Sequence, residues 1–483
     1  MNLSAYRAQW TRNPVREILA GMVGTFALIP EVIAFSYVAG VSPAVSLFAS
    51  FMISVTIAIT GGRPGMISGA AGSVALVAAT LVHAHGVQYL FAATILAGVL
   101  QVIFGLLRLQ VIMRFIPAEV QTGFVNALAI LIFSAQVPQM LHVTWHTYAL
   151  IALGLAIIYL LPRLTTLIPS PLICIVVLTA ITLWIPMPVH TVSGLGDLPT
   201  GLPQFALPRI PLTLSTLEII FPYAAAMAAV GLLESLMTAD VVDDKTGTRS
   251  SPEAECTGLG LSNILAGASG GIAGCGMIGQ TVGNLRYGGR GRLSTFTAGA
   301  FLLILMVLLH DLAGRVPMAA LVAIMIMVSV STFSWSSLRD LTRHPKRSSL
   351  IMLVTVAVTV VSRDLALGVL AGVLLSCTFY AWHVSELLHI SRTQDGDRDI
   401  YTVTGEIFFA SASLLSDAID FQTDARTVVL NLERARFGDV TSAAVISRIT
   451  QRLQARNITL LVTGATDTAS SLLPDQPSLN TPL

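Results

Sequence analysis

Apolar residues run in long blocks through the first 390 positions of the chain. Blocks of membrane-span length place elements at 17–40, 43–60, 71–83, 87–108, 118–136, 147–162 and 170–185. A second series follows at 214–240, 254–269, 276–286, 294–310, 317–334, 349–363 and 365–388. The blocks at 71–83 and 276–286 are too short to cross about 30 Å of hydrocarbon as helix, so they read as half-helices. After His389 the pattern changes. Residues 391–400 are polar, and strand-like runs follow at Ile400–Thr404, Thr427–Leu432 and Ile458–Val462. An amphipathic helix fits Ala443–Ala455. This predicts a small α/β domain over 396–470 and a polar tail over 471–483 that reads as disordered.

The two series match at their half-helices. One is preceded by Gly61-Gly62-Arg63-Pro64-Gly65 and entered through Gly69, Ala70, Ala71, Gly72 and Ser73. The other follows Gly270-Gly271-Ile272-Ala273-Gly274 and is entered through Gly276, Met277, Ile278, Gly279 and Gln280. Pro117 and Pro317 open matching spans further on. Seven spans is an odd number, so the halves must be inverted. The predicted fold is a polytopic α-helical membrane protein with fourteen spans in a 7+7 inverted repeat. The transmembrane domain takes residues 1–390. Within it the repeats are 15–186 and 214–390, joined by a proline- and threonine-rich linker at 187–213.

Composition agrees. Hydrophobic residues make up 54% of the 483 positions and charged residues 11%, against about 25% charged in soluble domains. Mean hydropathy is +0.78. Sixteen basic residues, among them Arg7, Arg63, Lys245, Arg292 and Lys346, fall in the N-terminus and the loops assigned inside; Arg209, Arg315 and Arg363 fall outside. That asymmetry puts both termini in the cytoplasm of a cell membrane, read as a bacterial inner membrane. A net charge of +1 offers nothing for nucleic acid. Cys174, Cys256, Cys275 and Cys377 are scattered, with no metal-like or disulfide spacing. No cofactor motif and no nucleophile–base set is visible, so an enzyme is not expected.

Two acids interrupt the apolar spans. Glu31 follows Pro30 in the first, and Glu234 lies in Gly231-Leu232-Leu233-Glu234-Ser235-Leu236-Met237-Thr238 of the eighth. A mid-membrane carboxylate costs at least about 2.5–3.5 kcal/mol and normally faces a cavity or a partner. Thr238, four residues after Glu234, shares its helical face. The pair can ligate Na⁺ or relay a proton; the plain alternative is a structural glutamate joining two helices. The half-helix starts are the other candidate, because a helix N-terminus presents unpaired amides and partial positive charge. Gly69, Ala70, Ala71, Gly72, Ser73, Gly276, Met277, Ile278 and Gly279 are the candidate lining. The alternative is that these glycines only let helices pack closely. Asn126 and Gln136, in the fifth span, are read as packing residues.

These residues resemble the sulfate permease (SulP) family of anion transporters. The resemblance rests on Leu233–Ala239 with Val242–Arg249, on Gly258, Asn263, Gly270-Gly271 and Gly274, and on Pro30-Glu31-Val32-Ile33-Ala34-Phe35. The C-terminal domain resembles a STAS domain. The family implies a core domain (spans 1–4 and 8–11) that moves like an elevator against a gate domain (spans 5–7 and 12–14). Substrate would lie between the half-helix starts. It implies a secondary transporter of sulfate, bicarbonate, chloride or dicarboxylates, and a homodimer in the lipid bilayer. It also implies a coupling ion, H⁺ or Na⁺, at Glu234 and Thr238, and a possible cytoplasmic partner for the STAS-like domain.

Three departures change the expectation. Glu31 stands where many relatives carry glutamine, and Gln280 where many carry arginine, so the site is less electropositive. Bicarbonate, a monovalent organic acid or proton-coupled uptake gains on sulfate. In Phe437-Gly438-Asp439-Val440-Thr441-Ser442, Val440 replaces the serine of phosphorylated relatives. Two other readings stay open: proton-coupled uptake of a neutral or weakly acidic solute such as a nucleobase, and a membrane sensor or scaffold acting through the STAS-like domain.

Overall fold

The computed structural model describes residues 3–141, 143–164, 170–185, 187–191, 205, 207–211, 213–343 and 345–464. They form two compact units that divide between Val373 and Leu374. The first unit runs α1 (Leu3–Thr11), α2 (Pro14–Ala39), α3 (Pro43–Thr60), β1 (Ser68–Ala70), α4 (Gly72–His85), α5 (Val87–Leu106), α6 (Ala118–Met140), α7 (Trp145–Leu160) and α8 (Ser170–Trp184). It continues with α9 (Leu214–Thr246), α10 (Pro252–Ala268), β2 (Gly274–Gly276), α11 (Ile278–Arg286), α12 (Arg292–Gly314), α13 (Met318–Thr332), α14 (Trp335–Arg343), α15 (Lys346–Ser362) and α16 (Leu365–Glu386), which crosses the division.

Each of the fourteen apolar blocks falls on a helix or half-helix. Among the described residues, seven helices are long and apolar enough to cross a membrane on their own, one of them being α13 and α14 taken together as Met318–Leu341. α2 makes an eighth, bent by 41° between Pro14–Phe26 and Glu31–Ala39. The sequence has Pro30 in that interval, and proline lacks the amide that a continuous helix needs. α9 runs past the expected end at 240, because Asp240–Thr246 continue the helix as polar turns until Gly247 closes it at φ 65°. α5 and α10 cross at two glycines. A Cβ on Gly98 would lie 2.5 Å from the Gly260 carbonyl oxygen, and one on Gly260 equally close to that of Gly98, so only glycine permits this approach. Most of the linker expected at 187–213 lies outside the described residues. At its start, His190 accepts a hydrogen bond from the Met318 amide at 2.8 Å.

The second unit is a four-stranded sheet in the order β3 (His389–Asp395), β4 (Arg398–Ile407), β5 (Thr427–Phe437), β6 (Thr459–Thr463). β3 and β4 form an antiparallel hairpin turning at Gly396, and the other pairings are parallel. α17 (Ala412–Ala418) and α18 (Val440–Gln454) make the crossovers, and Val428, Leu430, Ile446, Ile449 and Leu460 fill the core. The sheet thus starts at His389, ahead of the expected domain start at 396. β3 escaped the sequence pattern because its residues are almost all exposed. Ser442 is buried and donates to the Ile407 carbonyl at 2.5 Å, which leaves Thr441 as the exposed hydroxyl of that turn. The tail expected at 471–483 lies outside the described residues.

Candidate functional site

The glycine-rich stretches meet. β1 and β2 pair antiparallel, with Ser68 opposite Gly276, Gly69 opposite Cys275 and Ala70 opposite Gly274. The candidates Gly69, Ala70 and Gly276 therefore sit in a buried strand crossing and do not line open space. Their backbone groups, costly if unpaired in lipid, are satisfied by each other and by hydroxyls. Ser50 Oγ accepts from the Ala70 amide at 3.0 Å, Ser235 Oγ from the Gly276 amide at 2.8 Å, and Ser54 Oγ donates to the Ser68 carbonyl at 2.5 Å. Asn263 reads both faces of Gly274: its Oδ1 accepts from the amide at 2.9 Å and its Nδ2 donates to the carbonyl at 3.1 Å. A side chain at Gly274 would collide with the Gly69 carbonyl.

The upstream glycines serve a different purpose. Arg63, counted as an inner-loop charge, is buried. It pairs with Asp243 at 2.9 Å and donates to Thr246 at 2.6 Å and Thr248 at 2.9 Å. Glu255 Oε2 accepts from the Gly62 and Arg63 amides at 2.8 and 3.0 Å. This stretch anchors the crossing to α9 and α10.

From the crossing the chain turns into α4 after Ala71 and into α11 after Met277. Neither helix start has a side-chain cap, so the first-turn amides are open to a ligand. Glu234, on α9, reaches both. Its Oε2 accepts from the Ser73 hydroxyl at the start of α4 and from the Cys275 thiol, at 3.1 Å, in β2. Thr238 is held against the crossing. Its hydroxyl lies 2.7 Å from the Glu234 carbonyl and 3.0 Å from the Gly276 carbonyl; it gives its one proton to this backbone and keeps its oxygen lone pairs.

A cavity of about 110 Å³ lies against these helix starts, room for about three or four water molecules. Ala71, Gly72, Met277, Ile278, Gly279 and Gln280 form one side, with Glu31, Phe35 and Glu234. The rest of the lining is largely apolar and comes mainly from α6 and α13: Phe124, Val125, Leu128 and Ile132, then Val328 with the hydroxyls of Ser331 and Thr332. Among the described lining residues the only ionisable groups are Glu31 and Glu234, and none is basic. Gln280 is 2% exposed. Its amide is directed at Glu31.

The structure therefore brings Glu31, Ala71, Gly72, Glu234, Met277, Ile278 and Gln280 to one cavity. Ser73 lies behind it through Glu234, and Gly69, Ala70, Gly276 and Thr238 support it from the crossing. Sequence reasoning passed over Cys275, although it stood inside the repeated stretch. The α6 and α13 wall carried no signal, because apolar residues within a span look alike whether they face lipid or a ligand.

A model of the sulfate permease family matches residues 15–151 and 139–355, and a STAS-domain model matches 390–473. The chain is 49% identical over 472 residues, covering 98% of itself and 99% of the relative, to the "Putative sulfate transporter YbaR" of Bacillus subtilis. It is 28% identical to the "Bicarbonate transporter BicA" of Picosynechococcus, over 82% of this chain and 75% of that one. Among solved structures, the transmembrane domain of a cyanobacterial BicA aligns at TM-score 0.68 with 25% identity, over 75% of this chain and 98% of that one. SLC26A9 aligns at 0.80 with 15% identity, over 98% of this chain and 87% of that one, a likeness of fold.

Proposed function

The chain belongs to the sulfate permease family, and from that premise we propose that it is a multi-pass secondary transporter of small anions. One observation carries this reading: two uncapped helix starts from the two halves of the chain open on one small cavity. Open amides and the helix dipoles attract an anion without a basic side chain. Gln280, buried in the lining with its amide directed at Glu31, places a further polar group beside the same space. The anion would lie between the helix starts and be carried by elevator-type movement of α2–α5 and α9–α12 against α6–α8 and α13–α16, read as inverted repeats. Relatives named for sulfate and bicarbonate support small anions as the substrate class.

An anion entering between Glu31 and Glu234 needs compensating positive charge. A proton or Na⁺ supplies it, which makes the two carboxylates the coupling groups. Orientation with both termini in the cytoplasm of a bacterial inner membrane, a homodimer, and a cytoplasmic partner for the STAS domain complete the proposal. A second reading rests on the facing carboxyl and carboxamide of Glu31 and Gln280. That pair can hydrogen-bond a neutral, amide-like solute such as a nucleobase.

The test is uptake of labelled bicarbonate and sulfate into vesicles holding pure protein, with Na⁺ and pH gradients imposed separately. Uptake of one anion on one gradient, lost in Glu234→Gln, supports the proposal. No anion uptake, with uptake of a nucleobase on a pH gradient, supports the second reading. No flux of either leaves the scaffold reading in possession.

A further inference from the structure

The cavity wall that faces the two helix starts is itself a broken helix. α13 and α14 together make one candidate span, Met318–Leu341, but the helix stops after Thr332 and restarts at Trp335. The last α13 bond runs from the Phe333 amide to the Ser329 carbonyl at 3.0 Å. The next amide, Ser334, has no helical acceptor four residues back. Asn126 of α6 provides one. Its Oδ1 accepts from the Ser334 amide at 2.8 Å, and its Nδ2 donates to Ser337 Oγ at 2.8 Å. The Ser337 hydroxyl in turn donates to the Ser334 carbonyl at 2.5 Å. Asn126 is 3% exposed, so water does not stand in for it.

Asn126 thus acts as a helix cap supplied by a neighbouring helix. Its own neighbours Phe124, Val125 and Leu128 line the cavity, as do Val328, Ser331 and Thr332 immediately before the break. Ser329 ties the two helices once more, donating to the Ala129 carbonyl at 2.7 Å. The bond between Asn126 and the break therefore fixes how the ends of both wall segments stand toward the ligand space.

We propose that Asn126 is a positioning residue for transport: by holding the interruption at Phe333–Ser334 it sets Val328 and Thr332 against the bound substrate. This rests on the transport reading above. An apolar residue in place of Asn126 leaves the Ser334 amide unpaired in a membrane span, which shifts the equilibrium between held and released arrangements by about tenfold or more. The wall then meets the substrate in the right form less often, and apparent affinity falls with the held fraction, by at most that factor.

The experiment uses the full chain in vesicles and compares wild type, Asn126→Leu, Asn126→Asp and Ser337→Ala. Bicarbonate and sulfate uptake gives KM and kcat. Hydrogen exchange of peptides covering 329–340 reports the break itself. The expected result is faster exchange and a KM raised by up to about tenfold in Asn126→Leu. Asn126→Asp keeps the acceptor for Ser334, so both readouts should recover in part, and Ser337→Ala should be intermediate. Faster exchange with unchanged KM, kcat and anion preference overturns the proposal, since the bond would then be structural only. Unchanged exchange in Asn126→Leu overturns it as well. Wild-type vesicles that move no anion overturn the transport reading and this proposal together, whereas normal transport in Asn126→Leu overturns this proposal alone.

Discussion

Ser73 and Cys275, 202 positions apart in the chain, donate to the same carboxylate oxygen, Oε2 of Glu234. One belongs to the start of α4 and the other to the strand that leads into α11. A single acid on α9 therefore registers the two halves of the candidate site against each other.

That relationship predicts the effect of Glu234→Gln. The amide keeps the shape but loses the charge, and one of its two terminal atoms no longer accepts from Ser73 and Cys275. Gradient-driven uptake should fall by about tenfold or more, the worth of a hydrogen bond to a charged group. The cation or pH dependence of the remaining flux should flatten. Equal gradient dependence in mutant and wild type, measured in the same vesicles, would remove Glu234 from coupling.

The strand crossing predicts a stability effect. A methyl at Gly274 meets the Gly69 carbonyl oxygen and Ile53. Gly274→Ala should cost about 1–3 kcal/mol through overpacking, read as a lower melting temperature in detergent. Gly279→Ala is the control, because nothing lies near a Cβ there.

Much of this was legible in the sequence, for reasons that differ by element. α3 was bounded correctly at Pro43 and Thr60, since a proline opens it and glycines follow it. Glu31 and Glu234 stood out because charge within an apolar block has to be explained. β1 and β2 were not legible. Strands of three small residues have no alternation to read, and each partner lies in the other half of the chain. Thr238 matched the resemblance and the helical face, while its bond to the Gly276 carbonyl was not legible because only the folded crossing brings that group near. Asn126 read as packing because the break it caps lies 208 positions away.

Selectivity should follow the charge at Gln280. Gln280→Arg adds a cation beside Glu31 at the start of α11. Sulfate uptake relative to bicarbonate should rise by about tenfold, a modest share of the interaction of close charges in a partly screened site. Competition between the two labelled anions checks this. An unchanged ratio would mean that Gln280 does not face the anion.

The STAS domain should weaken in acid. Burial raises the carboxyl of Asp399, but bonds from Thr423 at 2.5 Å and Arg392 at 2.6 Å more than offset this and hold it below the ordinary range. Asp439 is likewise lowered against its burial, by the Phe409 and Ser442 amides. Both groups bind protons more weakly folded than unfolded. Their stabilisation is therefore complete above the unfolded value of about 3.9, and it is lost as pH falls from there through the lower folded values. Calorimetry of the full chain should show one endotherm that these two groups leave unmoved from neutral pH to about pH 5 and that moves down as pH falls below about 4. Asp399→Asn should lower that endotherm at neutral pH and reduce its dependence on acid.

The pairing of β1 with β2 also bears on how the chain is made. When Ser68–Ala70 leave the ribosome, their partner Gly274–Gly276 is about 200 residues from being synthesised, roughly 10–40 s at ordinary elongation rates. For that time an unpaired strand edge waits at membrane depth, where neither water nor lipid can satisfy it. The nascent first half must therefore stay shielded by the insertion machinery until the second half arrives. Chains truncated before Gly274 should remain crosslinked to that machinery from a probe at Gly69, and chains extended beyond Arg286 should release it.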